Sequence, residues 1–506
     1  MKVKVLIICL LSSVFSFGQV QDLAKLADGK LVYNTTLFDS AHDLYGYFYV
    51  YKLDAKDKKT INYEFVVLDK NLNKINNGKF EGFKSTAFLE STFNDCTLMG
   101  DNLIIDKLYV SYSQGVTYIL LNTFQIISLK DNSVSKEKQF KNNEFVDVDL
   151  TKLKSMKLYM DKSRFYINAY SNKYNSGFFV TDENSAKETT FFDSNLEKKW
   201  TYAYNNTDTL KNYYSDFKFR LLKDNVIYAT ERYNDKISKK KTFNILAINY
   251  TTGEKIYEYE LDNNKDSIYH TFEFKVINNK LIVSGFYNTN IGSLDFRDYY
   301  KGIYKIVLDE NGQEVEKVYH TWKYLNPKVA VNKKGMLKNG FYLKHQKTFV
   351  FDDGTISMLN EVYRPASNPA WFVPLVNWFT YIPSVTKDFI ILNFDKNFNL
   401  NSVDTISKQK SRNNNTDYLF SQTLNSNKGV VFFHLNNRKD PKTKKKELML
   451  GINSIVAGKL TQELIPLYKK KQYVITPLPA KEGYIMLRES NEKDKYNQIR
   501  LEKLNL

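Results

Sequence analysis

Catalysis and metal binding depend on a few side-chain types, and these types are dispersed in this chain. No two of the histidines have the i, i+4 spacing that places two imidazoles on one metal ion. The five histidines are His42, His270, His320, His345 and His434. No G-x-S-x-G elbow, phosphate-binding glycine loop or G-x-G-x-x-G fingerprint occurs. The sequence therefore assigns no catalytic residue, no metal ligand and no cofactor.

Carboxylates and cysteine leave the question of catalysis open. A pair of carboxylates that could cleave a glycosidic bond cannot be chosen from 56 acidic residues, although some, such as Asp352 and Asp353, are adjacent. Cys96 is the only cysteine after residue 18, so the chain beyond that point can form neither an internal disulfide nor a thiol pair. A hydrolase or lyase acting on a polysaccharide or peptide stays an alternative function.

Four aspartates directly follow apolar segments in the pattern D-x-N-x-[N/E/Q]. They are Asp69, Asp193, Asp309 and Asp395. Aspartate and asparagine hydrogen-bond to nearby backbone and tolerate left-handed conformations, so the pattern predicts hairpin turns. Ligands at loop positions 1, 3 and 5 also begin calcium loops, but none of the four has glycine at position 6 and glutamate at position 12. We predict turns, with calcium as the alternative.

These turns belong to a repeat that extends over most of the chain. Weaker copies at Asp131, Asn249 and Asn453 give a step of roughly 60 residues, which is typical of propeller blades. Strand-like segments rich in aromatic and β-branched residues fill the intervals, for example 44–51, 116–127 and 280–287. The predicted fold class is all-β, a β-propeller with seven or eight four-stranded blades, in a single domain spanning 19–506.

Both ends of the chain carry predictions. Residues 1–18 combine Lys2 and Lys4 with an apolar run that is too short to span a membrane, which indicates a signal peptide. A lipid anchor at Cys9 is the alternative, and no later segment is apolar for long enough to be transmembrane. Residues 472–505 supply three strands, and we predict that 30–37 adds a fourth and joins the two ends.

One segment interrupts the repeat. Residues 364–384 contain four of the nine prolines and two of the four tryptophans, so they can form neither a central strand nor an unbroken helix. The aromatic residues of this insertion are Trp371, Phe372, Trp378, Phe379 and Tyr381. Exposed aromatic side chains would make it a binding loop, and buried ones would make it a plug. These five residues are the candidate binding site.

The net charge of +17 limits the choice of partners. The densest lysine runs, 239–241, 442–446 and 469–471, fall at predicted hairpin tips, where charge is ordinarily solvated. We therefore do not expect a nucleic acid partner. The predicted partner is an unknown protein or glycan, with an anionic surface as a further possibility. We expect a monomer.

A family resemblance supports the same interpretation. The turn V-L-D-K-N-L-N-K at 67–74, with Y-G-Y-F-Y-V-Y-K-L-D at 45–54, resembles secreted, propeller-like bacterial proteins of unknown function. The resemblance implies a β-propeller exported to the periplasm or the extracellular space of a Gram-negative bacterium. Because no catalytic motif accompanies it, we expect a non-catalytic binding or scaffold propeller of the cell envelope or extracellular space.

Overall fold

The computed structural model describes residues 20–505, apart from several segments of the chain. The segments left out are 40–42, 86–88, 114–115, 142–143, 149–164, 172–175, 183–187, 204–212, 236–240, 262–268, 289–299, 334, 338–339, 366–383, 412–415, 425–427, 440–445, 468–472 and 492–495. The predicted signal peptide lies outside the described residues.

The chain forms two compact units. The first is drawn from Met1–Asn206, Thr251–Gly253 and Lys469–Leu506 and holds four antiparallel sheets. Their strands are β2 (Lys30–Phe38), β3 (Leu44–Ala55), β4 (Thr60–Asp69) and β5 (Lys74–Phe83); β6 (Glu90–Met99), β7 (Asn102–Ser113), β8 (Val116–Ser128), β9 (Lys138–Lys141) and β10 (Glu144–Asp147); β11 (Phe165–Ser171), β12 (Ser176–Asp182), β13 (Glu188–Asp193) and β14 (Lys198–Ala203); and β1 (Val20–Asp22), β32 (Val474–Pro479), β33 (Tyr484–Asn491) and β34 (Tyr496–Lys503).

The second unit, Thr207–Tyr250 and Glu254–Tyr468, also holds four antiparallel sheets. Their strands are β15 (Tyr213–Lys223), β16 (Val226–Asp235), β17 (Lys241–Asn249) and β18 (Lys255–Leu261); β19 (Tyr269–His270), β20 (Glu273–Ile277), β21 (Lys280–Asn288), β22 (Gly302–Leu308) and β23 (Glu314–Thr321); β24 (Tyr342–Val350), β25 (Ile356–Arg364), β26 (Val385–Phe394) and β27 (Leu400–Ile406); and β28 (Tyr418–Leu424), β29 (Gly429–Lys439), β30 (Lys446–Val456) and β31 (Lys459–Pro466).

These eight sheets confirm the predicted fold class, an all-β propeller, and give it eight blades. We number the blades in chain order, from blade 1 (β2–β5) to blade 8 (β32–β34 with β1). In six blades, consecutive strands are hydrogen-bonded neighbours in a meander, whereas in blade 5 both β19 and β20 pair with β21 and in blade 8 β1 pairs with β34. Short connections of this kind explain why a repeat was visible in the sequence.

One prediction about the ends of the chain is wrong. Residues 30–37 do not complete the last blade, because they lie in β2 and pair with β3 of blade 1. Val20–Asp22 completes it instead, pairing with Arg500, Ile499 and Gln498 of β34. Both segments are strand-like, but a three-residue strand carries too little pattern to be distinguished in the sequence. The N-terminal and C-terminal strands do pair, as expected.

The four D-x-N patterns are hairpin turns between the third and fourth strands of their blades. In the first, Asp69 Oδ1 accepts the backbone N–H groups of Asn71 at 2.8 Å and Asn73 at 2.9 Å. Asp193, Asp309 and Asp395 accept backbone N–H groups in the same way. The aspartate carboxylates therefore cap the backbone of their own turns, as the turn interpretation predicts.

The fourth residue of each turn has a left-handed backbone. Its φ is 66° at Leu72, 65° at Leu196 and 63° at Phe398, whereas Gly312 occupies the position in blade 5 with a φ of 78°. A left-handed conformation is unfavourable for leucine and phenylalanine. These three side chains are buried, so core packing offsets the local strain. The pairing register shifts beside each of the four turns, as in hairpins closed by a bulge.

Helical structure is sparse in the described part of the chain. A 3-10 turn covers Leu23–Lys25, and one α-helix, α1 (Trp322–Val329), connects β23 to β24. Trp322 and Leu325 of α1 are buried. No helix among the described residues is long and apolar enough to cross a membrane.

The cores lie between the faces of successive blades. Between blades 5 and 6, for example, Ile282 and Ile303 belong to the same buried cluster as Met358 and Leu392. Within each unit, buried residues of neighbouring blades therefore pack face to face. This arrangement fixes the strand ends that carry the candidate site.

Candidate functional site

The proline- and aromatic-rich insertion joins the second and third strands of blade 6. β25 ends at Arg364, and β26 begins at Val385. The predicted site residues Trp371, Phe372, Trp378, Phe379 and Tyr381 lie outside the described residues, so the choice between binding loop and plug stays a prediction. The residues at the two ends of the insertion, up to 365 and from 384 onward, are described.

A cluster of cations and aromatic rings surrounds these ends. The Arg364 guanidinium carbon lies 5.3 Å from the centre of the Phe341 ring, and Lys387 Nζ lies 5.7 Å from it. Lys344 Nζ lies 5.3 Å from the centre of the Tyr363 ring. Such distances allow attraction between each cation and a ring face. We call these five residues the basic patch.

The strand register places the five residues of the basic patch at one end of the blade, on both faces of its sheet. Tyr342 pairs with Tyr363 and Lys344 pairs with Glu361, so β24 presents Lys344 beside the end of β25. Lys387 pairs with Val362, two residues before Arg364. Phe341 is buried and immediately precedes β24, so its ring is a fixed support for the two cations. Arg364 and Lys387 therefore share one face of the sheet with Phe341, whereas Lys344 and Tyr363 lie on the other face at the same end of the blade.

The basic patch is poorly neutralised. Lys387 lies 3.2 Å from a carboxylate oxygen of Asp388, whereas Lys344 and Arg364 form no ion pair with any described residue. The insertion cannot supply a carboxylate, because residues 365–384 contain no aspartate or glutamate. Lys387, Lys344 and Arg364 are half-buried, so their charges are reachable from solvent. This combination of charge and exposure favours an anionic ligand.

A buried ionic network lies at the base of the basic patch. Lys408 Nζ is 3.0 Å from Glu361 Oε1 and also contacts Asp417, and the side chains of Lys408 and Glu361 are fully buried. Thr386 donates a hydrogen bond of 3.1 Å to Asp417, and Gln346 donates one of 3.2 Å to Glu361. Because Glu361 and Thr386 flank the insertion in sequence, the network holds its two ends.

The connection from blade 6 to blade 7 is tied to the same point. Thr386 and Ser411 exchange two backbone hydrogen bonds, of 3.0 and 2.9 Å. The backbone N–H of Lys408 donates to Asp388 at 3.2 Å. This connection therefore supplies Lys408 to the network and braces β26 beside Lys387. The buried network and this connection therefore anchor the strand ends that carry the basic patch.

The cations of the basic patch have the chemistry to contact an anionic group. Arginine presents a planar set of donors that matches carboxylates and sulfates, and lysine adds a point charge. In the described part of the chain, no group of three or more His, Cys, Asp or Glu side chains is arranged to hold a metal ion. Cys96 is buried, and burial raises the pKa of its thiol.

Asp106, in blade 2, is the one described carboxyl with a raised pKa. Burial, followed by the charge of Asp95 opposite it on β6, raises the pKa of Asp106 to about 6. Asn94, at an irregularity in that strand pairing, donates a 2.8 Å hydrogen bond to one carboxyl oxygen. The other oxygen, Oδ1, is buried without a partner. The enzyme alternative would need two or three such carboxyls in a cleft.

The raised pKa of Asp106 predicts a pH-dependent loss of stability. The usual value is 3.8, so between about pH 4 and 6 the folded state binds more protons than the unfolded state. The free energy of unfolding should therefore fall as pH rises through this range, by up to roughly 3 kcal/mol. Asp106→Asn should remove that loss. Urea unfolding of both proteins at pH 4.5 and 7 measures it, and equal pH dependence in the two proteins would contradict the assignment.

The sequence also matches a known protein family. A model described as "Family of unknown function (DUF6770)" matches residues 1–428. The chain belongs to this family. A comparison with curated proteins found no significant match.

The solved structures to which this chain is similar include a polysaccharide lyase and a WD40 domain. Polysaccharide lyase Uly1 is 8% identical over 81% of this chain and 89% of its own, with a TM-score of 0.41. Sqt1 from Chaetomium thermophilum is 8% identical over 96% of this chain and 100% of its own, with a TM-score of 0.40. The WD40 domain of SCAP from fission yeast is 7% identical over 96% of this chain and 94% of its own, with a TM-score of 0.37. These values say nothing of what this chain binds.

Sequence reasoning located the insertion but missed the cations at its ends. Arg364 is the first residue of the predicted insertion, and Lys387 lies three residues beyond its last residue. The sequence feature that could have revealed these cations is an uncharged, aromatic segment bounded by basic residues. Lys344 and Phe341 could not be found that way, because they join the basic patch through strand pairing.

Proposed function

We propose that this protein is an exported, non-catalytic binding propeller whose blade 6 recognises an acidic polysaccharide. The observation that carries the proposal is the basic patch, in which Arg364 and Lys387 share the Phe341 ring and Lys344 contacts Tyr363. Two of these three cations form no ion pair with a described residue. A ligand that brings carboxylates or sulfates would neutralise them.

The size of the basic patch favours a glycan over a nucleic acid. Tight nucleic acid binding uses about six to ten phosphate contacts, which three cations cannot supply. A glycan with one acidic group on every second or third sugar matches a small group of cations. Aromatic side chains add apolar contact area for sugar rings, and the insertion is rich in them.

The export part of the proposal rests on residues 1–18. Their two lysines and apolar run support secretion to the periplasm or the cell surface, where acidic polysaccharides are accessible. Protein expressed with its N terminus intact should lose this segment when exported. N-terminal sequencing of the exported protein tests this, and a retained segment would contradict it.

The binding proposal is tested by titrating the full chain beyond residue 18 with two glycans. Calorimetry with an alginate of defined length should show binding that weakens as salt rises, because exposed charges are screened. Dextran, a neutral glycan, should show none. Equal binding of both glycans, or none of either, would overturn the proposal.

The insertion should contribute through its tryptophans. If Trp371 and Trp378 contact the ligand, replacing both with alanine should weaken binding by about 2 kcal/mol per residue while the melting temperature stays unchanged. If they are instead a plug, each replacement should cost about 3 to 5 kcal/mol of stability. Titration and thermal melting of the double variant separate the two outcomes, and a large loss of stability would exclude the insertion from the binding site.

A further inference from the structure

Among the described residues, Arg488 of blade 8 has no carboxylate partner. Its Nε donates to Asn497 Oδ1 at 2.9 Å, and its Nη1 donates to Asn34 Oδ1 at 2.6 Å. Both acceptors are neutral amides. The side chain is half-buried, and burial lowers the pKa of the guanidinium. A charge removed from water ordinarily gains a partner of opposite sign.

Two carboxylates nearby are committed elsewhere, and a third, Glu64, lies opposite Tyr51 on the face of blade 1 that contacts Arg488 but forms no ion pair with it. Arg500, on the adjacent strand, contacts Glu502 at 2.6 Å and Glu489 at 3.3 Å. Glu489 follows Arg488 in β33, so it projects from the opposite face of the sheet. The more exposed face thus holds two carboxylates for one arginine, whereas Arg488 forms an ion pair with no described residue. The extra carboxylate on the exposed face therefore does not neutralise Arg488 on the other face.

Blade 1 contributes the Tyr49 hydroxyl to the surroundings of Arg488. Asn34 pairs directly with Tyr49, so both side chains lie on the face of blade 1 that contacts Arg488. Tyr49 is buried in one apolar cluster with Met486 and Ile499, which share a face of blade 8 with Arg488. The Tyr49 hydroxyl forms no hydrogen bond with another described residue. Its neighbours differ, since Tyr51 donates to the Leu23 carbonyl at 2.7 Å and Tyr47 to the Pro479 carbonyl at 3.2 Å.

We propose that Arg488, Asn34 and Tyr49 form a binding pocket for a carboxylate where blades 8 and 1 meet. The second N–H of Nη1 and both N–H groups of Nη2 remain for a ligand, and a guanidinium edge matches the two oxygens of a planar carboxylate. The Tyr49 hydroxyl donates a further hydrogen bond. Asn34 and Asn497 hold the guanidinium in place. The pocket shares no residue with the basic patch of blade 6, so it does not depend on the function proposed above.

Thermal melting in acetate tests the pocket. At constant ionic strength, replacing chloride with acetate should raise the melting temperature of the wild-type protein, because a ligand that binds the folded state stabilises it. Because sulfate and other excluded anions stabilise folded proteins generally, the response to each anion is taken as the difference between the wild-type protein and Arg488→Met, and it should be smaller for tetrahedral sulfate than for acetate. No response to acetate, or a response to sulfate alone, would overturn the carboxylate assignment.

Two variants separate binding from a structural role of Arg488. Tyr49→Phe removes a hydroxyl without a protein partner, so it should leave the melting temperature in chloride unchanged and weaken the affinity for acetate roughly 3- to 10-fold. Arg488→Met should weaken that affinity roughly 10- to 100-fold. Tyr47→Phe is the matched control, since it loses a protein hydrogen bond and should keep the acetate response. An unchanged acetate affinity in Tyr49→Phe and Arg488→Met would show that Arg488 only joins the two blades.

Discussion

Replacing Lys408 with methionine should lower the free energy of unfolding by about 3 to 5 kcal/mol, because it leaves two buried carboxylates without their cation. Glu361 Oε1 lies 3.0 Å from Lys408 Nζ, and Asp417 contacts the same nitrogen. Methionine has a similar length, so the packing around Phe389 should change little. Urea unfolding monitored by fluorescence measures the effect.

Lys410→Met is the control for this prediction. Lys410 is exposed, lies two residues further along the same connection and forms no ion pair with a described residue. Its replacement should change stability by no more than about 0.5 kcal/mol. Adding Glu361→Gln and Asp417→Asn to Lys408→Met should recover part of the loss, because the buried charges are then removed together. Equal stability of the two single lysine variants would show that the network does not stabilise blade 6.

Replacing Arg364 and Lys387 with alanine should weaken binding of an acidic polysaccharide about 100-fold or more, if each contributes as an arginine or lysine at the centre of a binding site does. The two side chains contact the same ring, so their contributions need not add and the double variant is the informative one. Both are half-buried at strand ends, so the fold should persist. Calorimetric titration measures the loss.

The matched control removes two lysines from blade 7. Lys428 and Lys459 are exposed, and their replacement by alanine changes the net charge by the same amount. If general electrostatic attraction dominates, the two double variants should lose affinity equally. If the basic patch is the binding site, only the Arg364 and Lys387 variant should lose it.

The blades were predictable because turns and strands have strong local signals. The D-x-N turn combines an aspartate that caps its own backbone with a step of about 60 residues, and both features are properties of the sequence alone. Asn278 and Asn279, which join β20 to β21 in blade 5, have left-handed φ values of 49° and 58°. Asparagine tolerates that conformation, so this turn also has a local signal in the sequence.

The number of blades and the completion of the last sheet depend on distant pairing. Val20–Asp22 is recruited by the free edge of β34, and residues 30–38 are equally suited to be an edge strand until β3 pairs with them. No local feature of either segment decides between these partners. The sequence therefore left seven and eight blades open and named the wrong strand.

The polar groups of the site were missed for the same reason. Lys408 and Asp417 lie in a connection, Glu361 lies in a strand, and only the packing of blade 6 against its connection brings them together. Arg488 and Tyr49 are separated by most of the chain. A basic residue inside an apolar strand, such as Arg488 in G-Y-I-M-L-R, does signal a buried charge. Its partners can be identified only from the fold.

Labelling of lysine amines with an acetylating reagent, with and without the acidic polysaccharide, tests the binding site most directly. Mass spectrometry reports the reactivity of each lysine separately. The proposed function predicts that Lys344 and Lys387 become protected while Lys428 and Lys459 react as before. Protection of Lys428 and Lys459 equal to that of Lys344 and Lys387, or no protection of Lys344 and Lys387 under saturating ligand, would contradict it.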